Sequence, residues 1–412
     1  MKYKILFLSE ILDAGGAGIA SKRILDSLKN HETKVISLTN EKNYYFIIKY
    51  KIFKLYFRIK RYFLTTSDKF NFNIFNPDIG IYSLANVRKK IDKFKPDIIV
   101  VTWIEFLISM KTIYEIKNEN NSEVIFITMD NHLFTGGCRY VNECENFINN
   151  CNNCLALKNN FRKISFYNYS YFRKYFKKMK PKFMLPSNYS KKFFQKSKLD
   201  FNFVEFNFWP IQIEKKHKSL NFEKYINDKN IKIKNIICPI QKFSEPRKGW
   251  NYLYQSIINF QKKLSNSDIK IKFILVGNLE ETHINSLKNF KINYEYHKYL
   301  NTKDLEKLYI KSDFGIVPSI QEWASISTNE MMTFGIPVIN FLTGSSKNLI
   351  IEGKNGFIVN LKDIYELSNK LLEINNMSED QIKKMKLFTY RYSIENFDSK
   401  KFEKKLIDFY EQ

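Results

Sequence analysis

No apolar run of about 18 residues free of charge occurs in the 412-residue chain, so no membrane-spanning helix is predicted. A secretory leader is not evident either. Met1 to Lys4 is basic, but the apolar stretch behind it is short, and Asp13 and a glycine cluster follow without a small-residue cleavage site. A cytoplasmic protein is expected. Exact internal repeats and low-complexity blocks are missing, and the 44% hydrophobic share is ordinary for a globular chain. At this length two domains are the simplest expectation. Acidic side chains are few, with 42 Asp and Glu against 67 Lys and Arg, a net charge of +25. The excess invites an anionic partner such as a nucleoside diphosphate or anionic lipid, although lysine is used heavily everywhere, helix faces included. No nucleic-acid-binding module or aromatic sheet platform accompanies the charge, so nucleic acid is not expected as a partner.

What is present is an alternation of short apolar runs with helical patterns. Tyr3 to Ser9 reads as a buried strand, Ile19 to Leu28 as a helix, and Thr33 to Leu38 as a second strand, which makes one βαβ unit with a glycine-rich turn. Pro96 to Val101, Val124 to Thr128 and Met184 to Ser187 continue the series. The plan restarts at Ile233 to Cys238 and runs through Ile271 to Val276, Phe314 to Pro318 and Pro337 to Asn340. The expected fold class is α/β: two Rossmann-like, doubly wound parallel-sheet domains facing across a cleft. The expected boundaries are 1–186, 187–390 and a returning helix over 391–412.

The densest constellation runs from Glu322 through Ser325, Ser327 and Thr328 to Glu330, followed by Phe334-Gly335-Ile336-Pro337-Val338-Ile339. It lies between a strand and a helix. The amides at that helix start are predicted to stabilise a phosphate through hydrogen bonds and the helix dipole. Glu330 can hold the vicinal hydroxyls of a ribose, and Glu322 those of a second polyol. Arg247 and Lys248 follow another strand and open another helix, so both can face the same phosphates, and two cations would neutralise a departing diphosphate without a divalent metal.

Glu322 and Glu330 match the E-x7-E signature of the large retaining glycosyltransferase family four, and Gly335 to Ile339 resembles that family's trailing segment. The stretch from Met129 to Tyr140 is similar to the "HD…TGGCHY" segment of colanic-acid-type polysaccharide glycosyltransferases, with Met129 where those relatives carry histidine. The basic position after the strand also departs from the family, with Gln241 or Lys242 where an arginine is usual and Arg247 as the substitute. The resemblance implies the B-type two-domain fold and a UDP- or GDP-sugar donor. It further implies Glu330 on the ribose, Glu322 on the donor sugar, Arg247 and Lys248 on the diphosphate, and Gly16 and Ala17 against the donor. Transfer would then go to a surface polysaccharide or lipid-linked oligosaccharide, by front-face attack assisted by the leaving phosphate. Asp130 or His132 would face the acceptor hydroxyl. A nucleotide-sugar epimerase of the same fold is the competing expectation.

Two further features stand apart. Cys138, Cys144, Cys151 and Cys154 have a spacing that suits a structural zinc, free buried thiols or, less readily in a reducing compartment, a disulfide; catalysis needs no cofactor in any of these cases. The segment from Tyr44 to Phe63 is basic, aromatic and amphipathic, with Lys51, Lys54, Arg58 and Arg61 on one face and Ile48, Ile52, Ile59 and Phe63 on another. It can cover the sheet or rest on an anionic membrane surface, which would make the protein peripheral on the inner membrane face. A second basic-aromatic patch is expected at Phe172 to Lys178.

Overall fold

The computed structural model describes all residues except 40, 67–69, 74–78, 212–221 and 266–267. The chain divides into two compact units, Met1–Ile211 with Ser399–Gln412, and Gln212–Asp398.

The first unit is a six-stranded, all-parallel sheet in the order β2-β1-β3-β4-β5-β6. Its strands are β1 (Lys4–Leu8), β2 (Glu32–Ile36), β3 (Ile98–Val101), β4 (Glu123–Ile127), β5 (Lys182–Leu185) and β6 (Phe203–Glu205). Strands covered on both faces carry continuous apolar runs, and all four residues of Ile98–Val101 are buried. The connecting helices are α1 (Gly15–Ser27), α2 (Tyr44–Leu64), α3 (Leu84–Ile91), α4 (Met110–Asn120), α5 (Lys163–Met179) and α6 (Asn188–Lys196).

The second unit repeats the plan with a parallel sheet in the order β12-β11-β10-β7-β8-β9. Its strands are β7 (Lys234–Lys242), β8 (Ile271–Asn278), β9 (Tyr294–His297), β10 (Phe314–Val317), β11 (Val338–Phe341) and β12 (Gly356–Val359). Its helices are α7 (Phe222–Asp228), α8 (Trp250–Gln261), α9 (Glu281–Asn289), α10 (Thr302–Lys311), α11 (Ile326–Thr333), α12 (Ser346–Leu349), α13 (Ile364–Asn376) and α14 (Glu379–Asn396). The chain ends in α15 (Ser399–Glu411), which belongs to the first unit. Two Rossmann-like parallel-sheet domains are therefore the architecture.

The first unit extends past residue 186 to Ile211. Ser187 caps α6 by accepting from the Ser190 amide at 3.1 Å, and Phe203–Glu205 then pairs in register with Phe183–Leu185, so the segment completes the first sheet. At the far end only 399–412 returns, because the helical tail breaks after Asn396 into two helices. In α15, Phe402 packs against Phe206 with ring centroids 5.2 Å apart, and Glu403 pairs with His31 at 3.2 Å.

Lysine is buried in places where carbonyls receive it. Lys182 Nζ donates to the Tyr410 carbonyl at 2.8 Å, Lys234 Nζ to that of Asn375 at 2.6 Å, and Lys386 Nζ to that of Ser312 at 2.6 Å. Burial pushes Lys386 down to about 7. Part of the lysine excess thus belongs to the fold rather than to any partner.

Candidate active site

In the second unit the residues singled out in sequence gather at the carboxyl ends of β7, β10 and β11, where parallel sheets bind ligands. After β7 the chain passes through Arg247 and Lys248 and turns into α8 at Gly249, whose φ of +72° is left-handed. A Cβ there would lie 1.8 Å from the Pro318 carbonyl oxygen, so only glycine lets this turn sit against the end of β10. The Ile320 amide donates to the Arg247 carbonyl at 2.8 Å and ties the two loops together.

Side chains complete the junction. Lys248 Nζ lies 2.9 Å and Arg247 Nη1 3.2 Å from one oxygen of Glu322, and Arg247 also pairs with Glu245. Burial opposes the charge on Glu322, but the two cations outweigh it and hold the carboxyl below its usual range. The carboxylate is therefore ionised and fixed in direction.

Beyond Glu322, α11 begins. Ser325 caps it by accepting from the Thr328 amide at 3.2 Å. The amides of Ile326 and Ser327 have no partner among the described residues and remain for a ligand at the positive end of the helix. Thr328 was expected to join them. Instead it is fully buried, with its amide taken by the cap and its hydroxyl accepting from Asn340 Nδ2 at 3.0 Å, so it braces the site. Glu330, in the second turn, accepts from the Tyr309 hydroxyl at 3.4 Å. Glu322, Ser325, Asn340, Thr343, Ser345 and Ser346 line a concavity of about 210 Å³ that opens to solvent. Asn340, missed in the sequence, presents a buried Oδ1 with no partner among the described residues.

The first unit has its own polar centre at the ends of β1, β3 and β4, and most of it was not legible beforehand. Arg139 pairs with Glu105, lies 4.0 Å from Asp130 and stacks over Trp103 at 4.3 Å. Glu10, two residues past β1, accepts from the Tyr50 hydroxyl at 2.8 Å and from the Phe106 amide at 3.2 Å. Burial, and then the nearby Glu105 carboxylate, push Glu10 well up. These carboxylates sit in the loops that follow β1 and β3, and only the fold brings them together.

Asp130 and His132 belong to this centre. Asp130 Oδ1 accepts from the His132 amide at 2.9 Å. The His132 ring is buried beside Trp103 and Phe172, and burial, reinforced by the Arg139 cation, pushes it down to about 3. A base that weak takes little part in proton transfer at neutral pH. The depressed value has a stability consequence. The unfolded chain takes up this proton near 6.5, while the folded ring stays neutral until about 3. Folded stability is therefore fully present above 6.5 and declines as pH falls from 6.5 towards 3. Thermal melting across that range should fall more steeply for the natural protein than for His132→Gln.

Gly16 and Ala17 lie in the first turn of α1, at the end of β1, both at least partly exposed. Cys138, Cys144, Cys151 and Cys154 all line one largely apolar pocket. The Cys138 thiol is held to Cys154, which pushes Cys154 down to about 6 and Cys138 up. Among the described residues no three Cys, His, Asp or Glu side chains form a group able to hold a metal ion.

Residues 221–388 match the family model of glycosyl transferases group 1. An uncharacterized 41.2 kDa protein in the cps region of Klebsiella pneumoniae is 28% identical over 130 residues, 32% of this chain and 33% of that protein, so the match spans about a third of the relative. Sucrose-phosphate synthase from Thermosynechococcus elongatus is similar in structure with a TM-score of 0.63, over 100% of this chain and 99% of that one at 11% identity. A glycosyltransferase from Rickettsia africae gives a TM-score of 0.63 over 99% and 98% at 18% identity. Anabaena HepE in complex with UDP-glucose gives 0.59 over 98% of both chains at 13% identity. At such identities the likeness establishes the fold.

Proposed function

We propose that this chain is a retaining, family-four-type glycosyltransferase that moves a sugar from a UDP- or GDP-sugar to a hydroxyl of a surface polysaccharide or lipid-linked oligosaccharide. The observation that carries the reading is the junction of Lys248, Arg247 and Glu322 beside the uncapped amides at the start of α11. A nucleoside diphosphate offers a complement to each of these groups. Its phosphates accept from the Ile326 and Ser327 amides and from the two cations, its ribose hydroxyls donate to Glu330, and the donor sugar donates to Glu322. As the glycosidic bond to phosphate breaks, negative charge grows on the leaving diphosphate, and Lys248 and Arg247 stabilise it in place of a divalent metal. Asp130, rather than the buried and weakly basic His132, is the side chain proposed to receive the acceptor's proton. HepE's complex with UDP-glucose and the cps-region relative are in keeping with this donor and with a polysaccharide acceptor. Placement at the inner face of the membrane belongs to the same reading.

Thermal melting with UDP, GDP and ADP tests the donor. One nucleoside diphosphate at a hundred times its Kd should add about 2.7 kcal/mol of stability through binding to the folded state alone. No shift with any of the three at millimolar concentration would count against the reading. A new glycosidic bond in the product, rather than an epimerised sugar nucleotide, separates transfer from epimerisation.

A further inference from the structure

We propose that the outward face of α2 is a membrane-docking surface that settles into the interface of a bilayer carrying anionic lipid. This deepens the peripheral placement proposed above, and its test reads lipid binding apart from catalysis. Tyr44, Tyr45, Ile48, Ile52, Leu55, Tyr56, Ile59, Tyr62 and Phe63 are all more than half exposed. At 100° per residue these positions share one arc of about 120°. The opposite arc does the packing: Phe46, Phe57 and Leu64 are buried, and the Phe57 ring stacks on Phe106 at 5.2 Å. The amphipathic segment therefore covers the fold with one side and still presents a continuous apolar stripe to solvent. A stripe of this extent marks an interaction site rather than the scattered exposure of ordinary surfaces.

Charge selects the partner. The helix carries Lys49, Lys51, Lys54, Arg58, Lys60 and Arg61 and no Asp or Glu. Lys51, Lys54, Arg58 and Arg61 flank the stripe on one side and Lys60 on the other, while Lys49 Nζ donates to the Gly80 and Ile81 carbonyls at 3.3 and 2.9 Å. An apolar strip between cationic rims, set with tyrosines, suits acyl chains below and anionic headgroups around the edge. A second copy of the chain would bring two acid-free cationic rims together, which disfavours self-association. Among the described residues no helix is long and apolar enough to cross a membrane, and α2, about 31 Å long, would lie in the plane of the interface. The helix is already formed, with Asn43 capping it by accepting from the Tyr45 amide at 3.0 Å. In the expected second patch, by contrast, the aromatic side is part of the core, since Phe172, Tyr175 and Phe176 are buried, and Lys174, Lys177 and Lys178 are exposed without an apolar stripe beside them.

Flotation of the full chain with phosphatidylglycerol–phosphatidylcholine vesicles and with pure phosphatidylcholine vesicles tests this. Binding is expected to the anionic vesicles, to weaken with salt, and to drop by about tenfold or more in Ile52→Glu/Ile59→Glu. Lys54→Glu/Arg58→Glu should remove the preference for anionic lipid. Both variants should keep the nucleotide-induced thermal shift, because these side chains belong to the first unit and the nucleotide site to the second. Failure of the natural protein to float with anionic vesicles would overturn the proposal. So would flotation unchanged in the Ile variant, or a solution dimer that this variant dissolves without any vesicle binding.

Discussion

Lys248→Ala is expected to slow sugar transfer by about 10²- to 10³-fold, the loss that follows removal of one preorganised group from a developing charge. The ammonium lies 2.9 Å from Glu322 and ends a short turn whose backbone is bound to the loop after β10. In the proposed reaction its removal takes a cation from the leaving diphosphate, and among the described residues it leaves Arg247 as the one cation paired with Glu322. The nucleotide-induced thermal shift should shrink in parallel. Lys248→Arg should recover part of both, since the charge returns on a different geometry. Steady-state kinetics with the donor that gives the largest thermal shift provide the readout, and an unchanged rate would remove Lys248 from the chemistry.

The second large effect is on folding. Gly249→Ala demands a left-handed backbone from a residue with a Cβ, and it drives that Cβ to 1.8 Å from the Pro318 oxygen, a contact of backbone against backbone that no rotamer relieves. A loss on the order of 4 kcal/mol is expected, which for a unit of this size lowers Tm by roughly 10 °C. Gly353→Ala is the control. Its φ is +71°, but nothing lies within 4 Å of the added Cβ, so only the backbone cost of about 1 kcal/mol remains. Equal melting of the two variants would mean that the close approach of the α8 turn to β10 does not exist.

The sheets and the second unit's site were largely legible in the sequence, for reasons that can be named. The central strands are buried on both faces and read as unbroken apolar runs, as in Ile98–Val101, and Glu322, Ser325 and Glu330 fall at fixed spacing across one strand-to-helix turn. Edge strands lacked that signal: Tyr294–His297 is only partly buried along its length and alternates with polar residues. Thr328 illustrates a different limit. Position gave its place in the first turn, but whether its hydroxyl faces ligand or core depends on Asn340, twelve residues away on the neighbouring strand. The polar centre of the first unit was the least legible, because Glu10, Glu105 and Arg139 come from three separate loops and meet only when β1, β3 and β4 lie side by side. The outward stripe of α2 was open for the same reason, since amphipathic spacing alone cannot say which side meets the core.

The most direct test is a crystal structure of the full chain grown with the nucleoside diphosphate that stabilises it. The account predicts phosphate oxygens within hydrogen-bonding distance of Lys248 and of the Ile326 and Ser327 amides, with the ribose on Glu330. A nucleotide ordered elsewhere, with the Lys248–Glu322 pair undisturbed and solvent over the start of α11, would contradict it.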